Sequence, residues 1–193
     1  IRKLPIDVLD LLRTPIFADL YRRIDSADWI PRDEYALIDR FWRHTTYESR
    51  GMADYQDDVV ALDRLTRTVL SSTECYPWTY DAAQAAKLDQ QARARLSATG
   101  ILRQSPDGVS VLHDRVLNWA VARILAADLA KVPADAAAIV AQLERLDDPT
   151  TLASGVGLRL NYVLFDFLWL AAEKGTPSAL AAIILAVLAH KDH

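Results

Sequence analysis

The sequence predicts a mainly α protein, with a small helical domain, a winged-helix domain and α-solenoid-like helices after it. Two observations carry this prediction. Apolar residues recur at helical spacing along most of the 193 residues. The clearest hairpin pattern, residues 101–112, comes directly after three predicted helices. Three helices followed by a short two-stranded wing is the order of elements in a winged helix. The predicted domains cover residues 1–54, 55–113 and 114–193.

The predicted small helical domain contains three short amphipathic helices. Pro15 interrupts the first apolar pattern, and a proline is tolerated at the first position of a helix but not in its interior. We therefore expect one helix to end near Leu12 and another to begin at Pro15, with Thr14 as its N-cap. The predicted helices cover residues 6–12, 15–23 and 33–44.

The predicted winged-helix domain contains the clearest sequence patterns for a helix end and a turn. Gly100 follows the third helix and is suited to a C-terminal cap. Ser105-Pro106-Asp107-Gly108 is a turn sequence, because proline sets φ at one corner and glycine accepts a positive φ. The predicted helices cover residues 56–70, 81–86 and 88–98, and the strands cover residues 101–104 and 109–112.

The remaining residues are predicted to be helical. Asp114 is a suitable N-cap for a buried helix that continues to Ala130. Short breaks rich in proline and glycine separate the later helices, an arrangement typical of an α-solenoid, although no fixed-period repeat accompanies it. The later predicted helices cover residues 131–146, 158–172 and 179–190.

Composition restricts the function classes. The net charge is −4 with mixed signs, so we expect neither nucleic acid nor a membrane as partner. The longest uncharged apolar run, residues 179–189, is too short to span a bilayer.

Cys75 is the only cysteine, which excludes an internal disulfide and fits a cytoplasmic protein. Frequent alanine, and arginine in excess over lysine, indicate a bacterial gene. Because Ile1 is not a start residue and no signal peptide is visible, we expect a piece of a longer protein.

The chain lacks the motifs of common catalytic sites. It contains no phosphate-binding loop of the G-x-x-x-x-G-K-[ST] type, no G-x-S-x-G nucleophile motif and no His/Cys cluster with metal-ligand spacing. We therefore expect no catalytic residue, no metal and no enzyme activity in this chain.

His113 lies at the predicted junction between the wing and the following helix. One interpretation is a partly buried histidine that forms a local hydrogen bond. However, Leu112-His113-Asp114-Arg115-Val116-Leu117 resembles the Met-His-Asp motif of STAND-class NTPases, the signalling switches that include NB-ARC and NACHT proteins. The resemblance covers about residues 55–130, with Leu112 in place of methionine. It implies that His113 contacts the β-phosphate of ADP.

A second stretch resembles the small helical domain of the same family. Leu11-Leu12-Arg13-Thr14-Pro15-Ile16 is similar to the segment whose proline packs near the adenine and ribose, which implies this role for Pro15. Arg13 stands where the family has glycine. An ordinary proline at a helix start is the alternative interpretation.

The resemblance implies a regulatory, nucleotide-state-sensing segment of a larger STAND-type P-loop NTPase. ADP or ATP would bind to the parent protein, and the partners would be its intramolecular ATPase domain and proteins or further copies recruited on activation. One alternative is a helical-repeat scaffold or protein-interaction module. Another is a DNA-binding winged helix with residues 88–98 as the recognition helix, and its candidate groove and wing residues are Gln90, Gln91, Arg93, Arg95 and Arg103.

Overall fold

The computed structural model describes residues 4–24, 29–48, 52–71, 76–131 and 160–173, together with residues 141 and 184. These residues are mainly helical and include one two-stranded antiparallel sheet, which confirms the predicted fold class. The elements in chain order are α1 (Ile6–Leu12), α2 (Pro15–Arg23), α3 (Glu34–Arg43), a π-helical turn (His44–Glu48), α4 (Met52–Leu70), α5 (Tyr80–Ala85), α6 (Gln90–Ala98), β1 (Leu102–Ser105), β2 (Gly108–Val111), α7 (Asp114–Lys131) and α8 (Leu160–Glu173).

Helices α1 and α2 begin and end as predicted. Thr14 is the N-cap of α2 and Pro15 occupies its first turn, as predicted. The carboxylate of Asp33 caps α3 by accepting a hydrogen bond of 2.7 Å from the backbone N–H of Ala36. The π-helical turn after α3 was not predicted. There the hydroxyl of Thr45 donates to the carbonyl of Phe41 at 2.7 Å, a local bond that competes with regular helical pairing.

The order α4, α5, α6, β1, β2 is that of a winged helix. Gly100 follows α6 and has a φ of +83°. The backbone N–H of Ile101 donates to the carbonyl of Leu96, which is the hydrogen bond of a glycine C-terminal cap. The predicted cap is therefore confirmed. The hairpin pairs Leu102 with Val111. Its strands are displaced by one residue from the predicted ranges.

An isolated β-bridge, which we did not predict, joins Trp78 to the two-stranded sheet. Trp78 pairs with Val109 through two backbone hydrogen bonds of 2.9 and 2.8 Å. Gly108 lies against this bridge with φ +146°, and a Cβ there would lie 2.1 Å from the carbonyl oxygen of Trp78. The glycine of the turn is therefore required by both conformation and space.

Within the described residues, five predicted helix starts differ from the structure, and those of α3 and α5 differ by one residue each. Helix α4 already begins at Met52. Helix α6 begins at Gln90, because the carboxylate of Asp89 caps it through the N–H of Ala92 at 2.8 Å. Asp114 is not the N-cap of α7, since the carbonyl of His113 accepts the first helical hydrogen bond, from Leu117. His113 is therefore the last residue before the helix.

The core is one continuous cluster of buried apolar side chains that includes residues from α2, α3, the winged helix, α7 and α8. Its largest fully buried members are Trp42, Trp78, Trp119, Phe41 and Phe167. All three segments that we predicted as domains contribute to this cluster, and the domain boundaries remain a prediction. The predicted helices 131–146 and 179–190 lie almost entirely outside the described residues, so the α-solenoid-like arrangement stays a prediction.

Among the helices that the structure describes, none is both long and apolar enough to cross a membrane.

Candidate functional site at the base of the wing

At the base of the wing, where Leu112 pairs with Ile101, the turn after α6 lies beside the turn before α7. The backbone N–H of Leu112 donates to the carbonyl of Ile101 at 2.8 Å, just below the paired strands. This bond places Gly100, at the end of α6, and His113, before α7, at the same end of the hairpin. The predicted site residue His113 therefore lies where α6, the wing and α7 meet.

His113 contacts α2 from this position. Its Nε2 lies 3.2 Å from Oδ2 of Asp19, a residue 94 positions earlier in the chain. The imidazole is 31% exposed and the Asp19 side chain 23% exposed. The contact joins the small helical segment to the wing-to-helix junction, and solvent still reaches both groups.

Asp19 also accepts hydrogen bonds from two arginines of its own helix. Nη2 of Arg22 lies 2.9 Å from Oδ1, and Nε of Arg23 lies 2.9 Å from Oδ2. Partial burial acts to raise the pKa of Asp19, but the hydrogen bonds from Arg23, His113 and Arg22 outweigh it and lower the pKa to about 2. Asp19 is consequently ionised at neutral pH.

The second predicted site residue, Pro15, lies on the same helix as Asp19. Pro15 is exposed at the first position of α2, and Asp19 follows it by four residues, which is about one helical turn. The helix that begins with Pro15 is thus the helix that contacts His113. The structure brings the two segments of the family resemblance to one interface.

A cleft of about 400 Å³ lies beside this interface. It separates the first turn of α2 from the first turns of α7 and from α8. Its lining is mixed: apolar side chains lie beside the carboxylates of Glu34 and Asp114 and the guanidinium of Arg115. The lining residues are Thr14, Ile16, Phe17, Glu34, Asp114, Arg115, Asn118 and Tyr162.

Arg115, one of the residues that line this cleft, is held by contacts with α3 and α8. Its guanidinium donates two hydrogen bonds to the buried carboxylate of Asp166 on α8, and Nη2 lies 3.3 Å from Oε1 of Glu34. The guanidinium also lies over the rings of Tyr162 and Tyr35, 5.1 and 5.9 Å from their centroids. The residue two positions after His113 is therefore fixed by α3 and α8.

Sequence reasoning did not identify Asp19, Arg23 or the Arg115–Asp166 pair. Asp166 could have been identified, because its neighbours on both sides in α8 are apolar and a buried carboxylate needs a cationic partner. No sequence feature singled out Asp19 and Arg23, since an oppositely charged pair four residues apart is common on helix surfaces. Only the tertiary structure brings His113 into contact with Asp19.

Arg93 and Arg95, the two arginines of the proposed recognition helix, are engaged within the winged helix, whereas Arg103 is exposed on the wing. Arg95 donates two hydrogen bonds of 2.6 Å to the buried carboxylate of Asp58 on α4. Arg93 donates to the carbonyl of Leu88 at 2.8 Å and lies over the ring of Tyr80. These contacts direct both guanidinium groups towards the protein.

The donor chemistry at the base of the wing suits an oxyanion. One imidazole and two guanidinium groups converge on a single carboxylate, and the same donors bind phosphate oxygens. In the structure these donors are taken by the ionised carboxylate of Asp19, and a phosphate would use them only in its place. Among the described residues, no group of three or more His, Cys, Asp or Glu side chains is arranged to hold a metal ion.

No family model matches the chain, and comparison with curated proteins and with solved structures finds no significant similarity.

Proposed function

We propose that this chain is the regulatory, nucleotide-state-sensing segment of a larger STAND-type P-loop NTPase, and that it is not catalytic by itself. The observation that supports this proposal is the contact between His113 and Asp19. It joins the helix that begins with Pro15 to the wing-to-helix junction. These are the two places where the sequence resembles the nucleotide-contacting segments of that family.

The chemistry of His113 suits such a sensor. An imidazole donates a directional hydrogen bond, and its charge changes near neutral pH. Bound nucleotide would supply negative charge at its β-phosphate, and His113 would donate to that charge from the base of the wing. Pro15 would pack near the adenine and ribose. Loss of the His113 contact would free the winged helix to rotate away from the ATPase domain.

The partners follow from the same proposal. The ATPase domain of the parent protein would be the intramolecular partner, and ADP or ATP would be held mainly by that domain. Protein partners or further copies of the chain would be recruited in the cytoplasm once the winged helix has rotated away from the ATPase domain.

The test is the ADP release rate of the parent protein, measured for His113→Ala. Removal of a charge-assisted hydrogen bond typically costs about 1.5–3 kcal/mol, so release should accelerate roughly ten- to a hundredfold. His44→Ala is the matched control, because it removes a histidine at the end of α3 instead of at the wing. An unchanged release rate for His113→Ala would show that the sensor role is wrong.

The absence of catalysis is tested separately on the isolated chain. We expect no magnesium-dependent ATP turnover, since the sequence contains no phosphate-binding loop. Turnover that copurifies with the chain through successive columns would contradict this part of the proposal.

A further inference from the structure

We propose that a second cleft, between α3 and the C-terminal end of α8, is a docking site for an acidic peptide segment of a partner protein. The cleft has a volume of about 390 Å³. None of the described residues that line it also lines the cleft beside the base of the wing. The docking site is therefore separate from the nucleotide-sensing role proposed for His113 and does not depend on it.

Two half-buried tryptophans form the aromatic part of this cleft. Trp169 on α8 packs against the core, because its ring stacks on Tyr35 at a centroid distance of 6.3 Å and lies 5.8 Å from the ring of the fully buried Trp119. Trp29 lies 6.4 Å from the ring of Tyr21, whose hydroxyl donates to the backbone carbonyl of Trp29 at 3.2 Å. Both rings are thus held in place before a partner binds, which reduces the entropy cost of binding.

Three arginines form the charged part of the cleft. Arg40 and Arg43 lie about one turn apart on α3, and Arg32 precedes that helix. The guanidinium of Arg32 lies 5.4 Å from the centroid of the Trp169 ring, so a cation and an aromatic surface are presented together. The side chains of Arg32 and Arg43 are each 59% exposed and are accessible to a partner. Tryptophan and arginine are enriched among the residues that contribute most binding energy at protein interfaces.

The charge of the cleft favours an acidic partner. Its described lining contains three guanidinium groups and two carboxylates, so it is locally positive in a chain whose net charge is −4. The carboxylates of Glu173 and Asp39 pair with Arg32 and Arg43. Because both arginines are largely exposed, these pairs contribute little to stability, and carboxylates of a partner can bind the same guanidinium groups at small cost.

A peptide fits this arrangement better than a nucleic acid does. A nucleic acid needs cations along a continuous row of phosphates, whereas carboxylates lie between the arginines of this cleft. A peptide can place its acidic side chains at the guanidinium groups and its apolar side chains at the two tryptophans. The expected occupant is therefore a short segment in which glutamate or aspartate alternates with apolar residues.

The experiment measures, by fluorescence anisotropy at low salt, the binding of a fluorescein-labelled peptide of sequence Glu-Leu-Glu-Glu-Leu-Glu to this chain. We expect it to bind at least about tenfold more tightly than the same peptide with glutamine in place of glutamate, because the charge-assisted hydrogen bonds to arginine are lost in the latter. A peptide with lysine in place of glutamate should bind no more tightly than the glutamine peptide.

Substitutions test whether the arginines of the cleft cause this preference. Arg32→Gln combined with Arg43→Gln should weaken binding of the glutamate peptide at least about tenfold. The matched control is Arg13→Gln combined with Arg64→Gln, which removes the same charge from exposed positions on α1 and α4 and should bind like the wild-type chain.

The indole N–H signals in the NMR spectrum of the wild-type chain locate the peptide without any substitution. The signals of Trp29 and Trp169 should shift on titration, and that of Trp78, which is fully buried beneath the wing, should not. The proposal is overturned if the glutamate peptide has no advantage over the glutamine peptide, if the control variant loses as much affinity, or if the two cleft signals do not shift. Tighter binding of a single-stranded oligonucleotide at these tryptophans would overturn it in favour of a nucleic-acid partner.

Discussion

The guanidinium of Arg115 and the carboxylate of Asp166 form a bidentate ion pair that ties the first turn of α7 to the middle of α8. The Asp166 side chain is fully buried, and that of Arg115 is 7% exposed. Burial raises the pKa of Asp166 to about 6 in spite of the hydrogen bonds from Arg115. The carboxylate is still mainly ionised at pH 7, so the charged pair is the form that joins the helices.

Asp166→Ala should destabilise the chain by about 3 kcal/mol or more, because it leaves a buried guanidinium with only Glu34 as a charged partner. Urea denaturation at pH 7 measures the loss. The control is the double substitution Arg115→Met with Asp166→Leu, which should recover most of the stability since apolar residues of similar volume need no counterion. A loss below 1 kcal/mol for Asp166→Ala would contradict the ion pair.

Asp19→Asn should lower the free energy of unfolding by about 1–2 kcal/mol at pH 7, after allowance for solvent screening. The pKa of Asp19 falls from 3.8 to about 2 on folding, so its ionised form stabilises the folded state above the unfolded pKa. That contribution is lost as the pH falls from about 4 towards 2. The difference in stability between the two proteins, measured from pH 7 to pH 3, should therefore narrow at the acid end. A gap of constant size would argue against the charged contacts of Asp19.

Gly108→Ala should be more damaging than Gly100→Ala, although both glycines have a positive φ. At Gly100 the added Cβ meets the end of a flexible arginine side chain, so the expected cost is mainly the backbone strain of about 1–2 kcal/mol. At Gly108 it meets the backbone carbonyl of Trp78, which cannot move without breaking the bridge to Val109. Thermal melting of the two variants gives the comparison. Equal melting temperatures would contradict the packing at Trp78.

Arg95→Ala should lower stability and leave DNA affinity unchanged. It leaves the carboxylate of Asp58, which is 3% exposed, without its bidentate partner, and the expected cost is about 1.5–3 kcal/mol. Arg103→Ala, on the exposed side of the wing, is the control and should melt like the wild-type chain. Gel-shift assays with duplex DNA at physiological salt should show no nanomolar binding for any of the three proteins. Such binding by the wild-type chain, lost in Arg95→Ala, would favour the DNA-binding alternative.

The sequence alone determined the local structure of the wing and its neighbours. Helix periodicity, the turn at residues 105–108 and the glycine after α6 act within a few residues, so their physical causes are contained in the local sequence. The same holds for Thr14 and Pro15 at the start of α2. The starts of α6 and α7 were predicted wrongly because several adjacent polar groups can serve a helix start: the carboxylate of Asp89 caps α6, and the carbonyl of His113 accepts the first helical bond of α7.

Only the tertiary structure decided which side chains meet at the base of the wing. His113 was identified from its place in a motif, but its partner Asp19 lies 94 residues away on a helix whose sequence does not distinguish that carboxylate from other exposed acids. The strand position of Trp78 likewise depends on the approach of β2. Contacts of this kind arise when the burial of apolar faces brings separate elements together, and sequence spacing along one element carries no record of them.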